Sequence, residues 1–167
     1  MAEVKSHEFD RFLKRGFELY KIFVFYGPDR GLVSERAAAI ANQSGVAADD
    51  PFSLLKLDVT DLAGDPGRLM DEVNALGLFG GSKLVWLKGA ANEKALLDSV
   101  QILADSPAPA NTLIIEAGDL KKGSGLRKIA EPAKNIAIVP CYADDGRALQ
   151  ALIDAELEAE GLRITPA

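Results

Sequence analysis

Five short apolar runs separated by helix-period stretches constrain this chain more than any other feature. They are Ile22 to Tyr26, Leu54 to Val59, Leu84 to Leu87, Thr112 to Glu116 and Ile136 to Cys141. Three to five apolar, β-rich residues between helices suggest strands buried on both faces. Strand and helix alternating in this way predict an α/β fold: a doubly wound, mainly parallel five-stranded sheet with helices on both faces.

The helices between the strands have readable ends. Ser6 can cap a helix through Lys14 that places Phe9, Phe12 and Leu13 on one face, with Gly16 as its stop. Asp65 followed by Pro66 reads as a cap and first position for a helix carrying Leu69, Val73 and Leu76 inward, stopped by Gly77. Glu93 to Leu103 and Ser124 to Ala133 supply two more. From Asp144 a longer helix with Leu149, Leu152, Ile153 and Leu157 on one side changes the pattern, and the last residues, Thr165 to Ala167, offer a fresh helix start. The expected organisation is a domain over 1–142 and the truncated beginning of a second, helical one over 143–167.

The first strand runs into a glycine turn and a helix, Lys21 to Glu35, the layout of a phosphate-binding loop. A working loop of this kind needs a second glycine, a lysine for the phosphates and a hydroxyl for Mg²⁺. Gly27 and Ser34 stand at matching places, but Leu32 occupies the glycine position and Val33 the lysine position. The third strand, which should end in Asp-Glu to hold metal and activate water, is followed by Lys88 and Gly89. The loop is therefore read as degenerate, with no bound nucleotide, no catalytic residue and no cofactor. Lys88 also stands where a signalling receiver would carry its acceptor aspartate.

Charge and composition exclude other classes. A net charge of −6 argues against unaided binding to a nucleic-acid backbone. His7 and Cys141 are single residues of their kinds, which excludes a Cys/His zinc site and an internal disulfide, and no metal site is expected. No apolar run reaches the roughly 18 residues of a membrane span, and the mixed-charge N-terminus is unlike a signal peptide, so no membrane association and a cytoplasmic location are expected. Glu116 is a lone carboxylate read as a solvated strand end or a cap and not as a metal ligand. Lys121, Lys122, Arg127 and Lys128 form a basic cluster that either solvates a helix start or contacts DNA inside a larger assembly.

Between the second helix and the third strand lies LGLFGGS, Leu76 to Ser82, in which Leu78 and Phe79 are flanked by glycines. Such a pair either folds back on the helix end or projects outward as a binding anchor, each side chain worth about 1.5 to 3 kcal/mol when buried by a partner.

The chain as a whole resembles the delta subunit of the bacterial DNA polymerase III clamp loader. The resemblance rests on YGPDRGLVSERAAAI (26–40), ALGLFGGSKLVWLKG (75–89), LIIEAGDLKKGSGLRK (113–128) and PCYADD (140–145). It implies an ATPase-like fold of the AAA+ type that has lost nucleotide binding, and a non-catalytic subunit that binds and helps open the ring-shaped sliding clamp during DNA replication. By position, Leu78 and Phe79 look like the pair that enters the clamp's apolar pocket. The implied partners are the clamp (beta subunit), the gamma/tau and delta prime subunits, and primed DNA only within the assembly. The alternative reading is an active P-loop ATPase or kinase domain.

Overall fold

The computed structural model describes residues 2–3, 9, 12–13, 19–44, 53–75, 83–123 and 125–142. The elements in order are β1 (Ala2–Glu3), β2 (Ile22–Tyr26), α1 (Arg30–Gln43), β3 (Leu54–Asp58), a 3-10 turn (Val59–Leu62), α2 (Arg68–Asn74), β4 (Leu84–Ala90), α3 (Lys94–Ala104), β5 (Thr112–Ala117), α4 (Gly125–Ala130) and β6 (Ile136–Pro140).

The strands form one sheet in the order β1-β6-β2-β5-β4-β3, and every ladder among the described residues is parallel. All five strands expected from the apolar runs are present. The sixth, β1, contributes two residues beside Ala137 and Ile138 on the edge of β6, too few to leave a periodic trace in the sequence. β2, β5 and β6 are buried along their whole length, as strands covered on both faces must be. β3, at the other edge, exposes Lys56 and Asp58.

Alternation along the strands divides the core into two layers. Ile22, Val24 and Tyr26 face the layer closed by α2, α3 and α4, together with Leu69, Val73, Leu96, Val100 and Leu126. Phe23 and Phe25 face the opposite layer, closed by α1 through Val33, Ala37, Ile40 and Ala41 and by Phe9. The expected N-terminal helix is seen at Phe9, Phe12 and Leu13, which are helical. The Phe9 ring meets Phe25 edge-on at 6.3 Å and Phe12 meets Phe23 at 6.1 Å, so this segment does pack on the sheet. Helical conformation recurs at Leu19, beyond the Gly16 stop read from the sequence.

Several boundaries differ from the sequence reading: β4, expected to end at Leu87, runs on through Lys88 and Gly89 to Ala90, and three other differences have a visible local cause. The second strand candidate ends at Asp58, because Asp58 and Asp61 form a reciprocal capping box that starts the 3-10 turn at Val59. Asp65 and Pro66 do not open α2. Arg68 N donates to the Asp65 carbonyl at 3.1 Å and Gly67 has φ −83° and ψ −6°, the geometry of a type I β-turn with Pro66 in its favoured second place. At its other end α2 stops at Asn74, where the extended backbone of Ala75 (φ −68°, ψ 135°) breaks the helix before Leu76 and Gly77. The helix expected from Asp144, and the division at 142/143, lie outside the described residues.

Candidate functional site

The phosphate-loop element is shorter than its sequence suggests. Only Gly27, Pro28 and Asp29 separate β2 from α1, and Leu32, Val33 and Ser34 are helical. Arg30 and Gly31, read from sequence as part of the turn, are the first helical residues. The N-terminus of a helix attracts an anion through its free N–H groups. Here the anion is supplied internally: Asp29 is the N-cap, and its Oδ1 accepts from Leu32 N at 3.0 Å. Val33 is buried in the apolar layer beneath α1. Gly27 serves close packing of strand ends. A Cβ built on it would stand 2.0 Å from the Cys141 carbonyl oxygen, while its N–H donates to Gly118 O at 3.1 Å. Cys141 N in turn donates to Tyr26 O at 2.7 Å.

Ser34, the residue at the metal-holding position, donates its hydroxyl to Glu116 Oε1 at 2.6 Å. Trp86 Nε1 donates to the other oxygen, Oε2, and Lys88 Nζ stands 3.9 Å from it. Glu116 is only 7% exposed, which overturns its reading as a solvated strand end. The physical reason lies in the pleat: Glu116 follows Ile114 by two residues on β5, so it faces the same layer as Ile114, Trp86 and α1. That alternation, read together with the Ser34 position on the covering helix, was the available signal. Lys88 also lies over the Trp86 ring at 5.1 Å, and Lys56 on β3 at 5.6 Å. The two elements that would together bind a nucleotide phosphate and its metal are thus joined through a carboxylate of the protein itself. Among the described residues no group of three or more His, Cys, Asp or Glu side chains could hold a metal ion.

The basic cluster does not stay together. Lys121, Lys122 and Lys128 are exposed. Arg127 is half-buried and engaged inside the domain: Nε pairs with Glu131 Oε1 at 2.6 Å, Nη1 donates to Leu120 O at 3.2 Å, and the guanidinium lies over the Tyr26 ring at 4.8 Å. Its reading as a DNA-contacting residue is therefore withdrawn in favour of a structural one.

Leu78 and Phe79 lie outside the described residues. Their segment lies in sequence between α2 and β4, whose N-terminal end is at the end of the strands opposite the Gly27 turn. The described residues on either side of that segment meet one buried side chain, Asn111, just before β5. Asn111 Nδ2 donates to Glu72 O at 2.9 Å and to Ala75 O at 2.7 Å, and its Oδ1 accepts from Lys83 N at 2.8 Å. Asn111 N also donates to Val73 O at 3.0 Å, and the Lys83 ammonium pairs with the Glu72 carboxylate.

Comparison with known proteins settles what kind of chain carries this geometry. The profile of the family described as DNA polymerase III, delta subunit, matches residues 23–141, from the first buried strand to the cysteine after the last. The chain belongs to that family. Among solved structures it is similar to the Bacillus subtilis DNA clamp loader delta protein (YqeN), with a TM-score of 0.66 and 18% identity over 92% of this chain and 47% of that one. It is also similar to a Thermotoga maritima DNA polymerase III gamma subunit-related protein, with a TM-score of 0.54 and 13% identity over 89% of this chain and 49% of that one. At such identities the likeness concerns the fold, an α/β parallel sheet shared with clamp-loader proteins, and the chain spans about half the length of both. No curated protein sequence matches it. That family, of delta-type subunits, is generally non-catalytic. No helix among the described residues is long and apolar enough to cross a membrane.

Proposed function

We propose that this chain is the clamp-engaging domain of a cytoplasmic clamp-loader delta subunit, which binds the ring-shaped sliding clamp and helps open it for loading onto primed DNA. It hydrolyses no nucleotide itself. The observation that carries the non-catalytic part of this reading is Asp29, whose carboxylate caps the helix end where a phosphate would sit. The Ser34–Glu116 hydrogen bond supports it, since that hydroxyl already serves a carboxylate. The clamp-binding part rests on the family match and on Leu78 and Phe79 as the apolar anchors. Residues 1–142 form this domain and 143–167 begin a helical lid. In the longer protein the partners are the gamma/tau and delta prime subunits, and Lys121, Lys122 and Lys128 meet DNA only within that assembly.

Opening follows from differential binding: a domain shifts the clamp toward the open ring only by as much as it prefers that form. Calorimetry of the domain with its own organism's clamp tests the reading, comparing wild type with Leu78→Ala combined with Phe79→Ala. Binding that vanishes in a folded double variant supports it, and unchanged binding refutes the anchors. The alternative, an active P-loop ATPase or kinase, predicts thermal stabilisation by Mg-ATP, since a ligand at 100 times its Kd adds about 2.7 kcal/mol. The expected result is no shift.

A further inference from the structure

The geometry points to Asn111 as a positioning residue for clamp binding, acting through the chain on either side of 76–82; this rests on the proposed role of Leu78 and Phe79. Seven residues separate Ala75 from Lys83. Lys83 is fixed to the sheet independently of Asn111, because Thr112 N donates to its carbonyl at 3.1 Å and the next residue, Leu84, donates to Ser53 O at 2.8 Å. Among the described residues Ala75 has no such anchorage to the sheet. It has left the helix, and its own N–H donates to Glu72 O at 3.4 Å. The bond from Asn111 Nδ2 to the Ala75 carbonyl ties this side of the segment to the other, where Asn111 Oδ1 holds Lys83 N–H.

The side chain fits this task by type. Lys83 presents a donor, while Glu72 and Ala75 present acceptors, so only an amide with its oxygen toward Lys83 and its nitrogen toward α2 satisfies all three. Asp would lack the donors, and a hydroxyl is too short to span both sides. Asn111 is also 1% exposed, so its own amide cannot exchange these partners for bulk water. The Glu72–Lys83 ion pair closes the same gap from the half-buried side. Holding both ends of a short segment at fixed separation removes conformations that its central residues would otherwise have to surrender when a partner binds, and that entropy is recovered as affinity.

A cap that merely stabilises α2 would look similar in a melting curve, so the test needs a matched control. Asn135 supplies one: its Nδ2 donates to Leu103 O at 2.8 Å and to Ser106 O at 3.3 Å, a comparable amide-to-carbonyl cap on α3. Clamp affinity is measured by calorimetry on the full-length protein for wild type, Asn111→Ala, the milder Asn111→Ser, and Asn135→Ala, each at a temperature where it is folded. The expected result is a loss of affinity of about tenfold or more for Asn111→Ala, a smaller one for Asn111→Ser and none for Asn135→Ala. Amide hydrogen exchange at Lys83 should accelerate in the Asn111 variants alone. Wild-type affinity in folded Asn111→Ala or Asn111→Ser overturns the inference, as does an equal loss in Asn135→Ala. Leu78→Ala with Phe79→Ala separates the two layers of argument. If that pair abolishes binding while the Asn111 variants bind normally, the clamp-binding reading stands and the positioning role falls; if that pair binds normally, both fall.

Discussion

Replacing Glu116 by alanine tests whether the old metal and phosphate positions are now part of the core. The change removes both acceptors from a carboxylate that receives Ser34 Oγ–H and Trp86 Nε1–H. A hydrogen bond to a charged group contributes about 1.5 to 3 kcal/mol, so two would cost about 3 to 6. Two effects reduce this. Removing a buried charge relieves its desolvation, and the half-buried Ser34 hydroxyl can turn toward water, whereas the buried Trp86 N–H cannot. A net loss of about 2 to 4 kcal/mol follows, which for a chain of this length lowers the melting temperature by roughly 5 to 15 °C. Glu116→Gln keeps the shape and one acceptor and should lose about half as much. Urea denaturation at neutral pH, with unchanged slope, is the assay. A change within about 0.5 kcal/mol for Glu116→Ala, the behaviour of a surface residue, would refute the buried network.

Further outcomes follow from the strand ends. Gly27→Ala places a methyl group on the Cys141 backbone, 2.0 Å from its oxygen in the unrelaxed structure, and should cost about 3 kcal/mol or more, measured by the same denaturation. Burial pushes the Cys141 thiol up to about 11, against the opposing pull of nearby Arg36. Between its ordinary value of 9.0 and about 11 the unfolded chain loses this proton first, so stability falls as pH rises through that window. The total loss is on the order of 2 to 3 kcal/mol, and it should be missing from the alkaline melting series of Cys141→Ala.

The sheet was legible because buried parallel strands announce themselves as continuous apolar runs, and β2, β5 and β6 do so without a polar interruption before their ends. What escaped was short or depended on a partner far away in sequence. β1 has two residues. Asp65-Pro66-Gly67 fits a helix start and a type I turn equally well by composition, and the downstream start of α2 at Arg68 decides between them. Glu116 looked solitary because its partners lie 82 and 30 residues away on α1 and β4. Arg127 looked available because it shares the stretch 121–128 with three lysines, although its guanidinium is held by Glu131, Leu120 and Tyr26. The departure of Leu32 and Val33 from a phosphate-loop pattern was readable, but the three-residue length of the turn was not, since Arg30 and Gly31 are compatible with either loop or helix.

Val33 shows how far the packing here stands from the lysine position of a working phosphate loop. Its side chain is 2% exposed and sits among Phe25, Ala37 and Ile40 in the layer under α1. A lysine restored there would meet hydrocarbon, not a phosphate, and an unpaired buried ammonium costs several kcal/mol. Building a working phosphate loop here one residue at a time would pass through unstable proteins, because the start of α1 would have to unwind, Asp29 give up its cap, and Glu116 release Ser34. Under the proposed reading, a phosphate position that stays closed is thus a matter of how the domain packs as well as of which residues it lacks, and selection for stability alone is enough to keep it so.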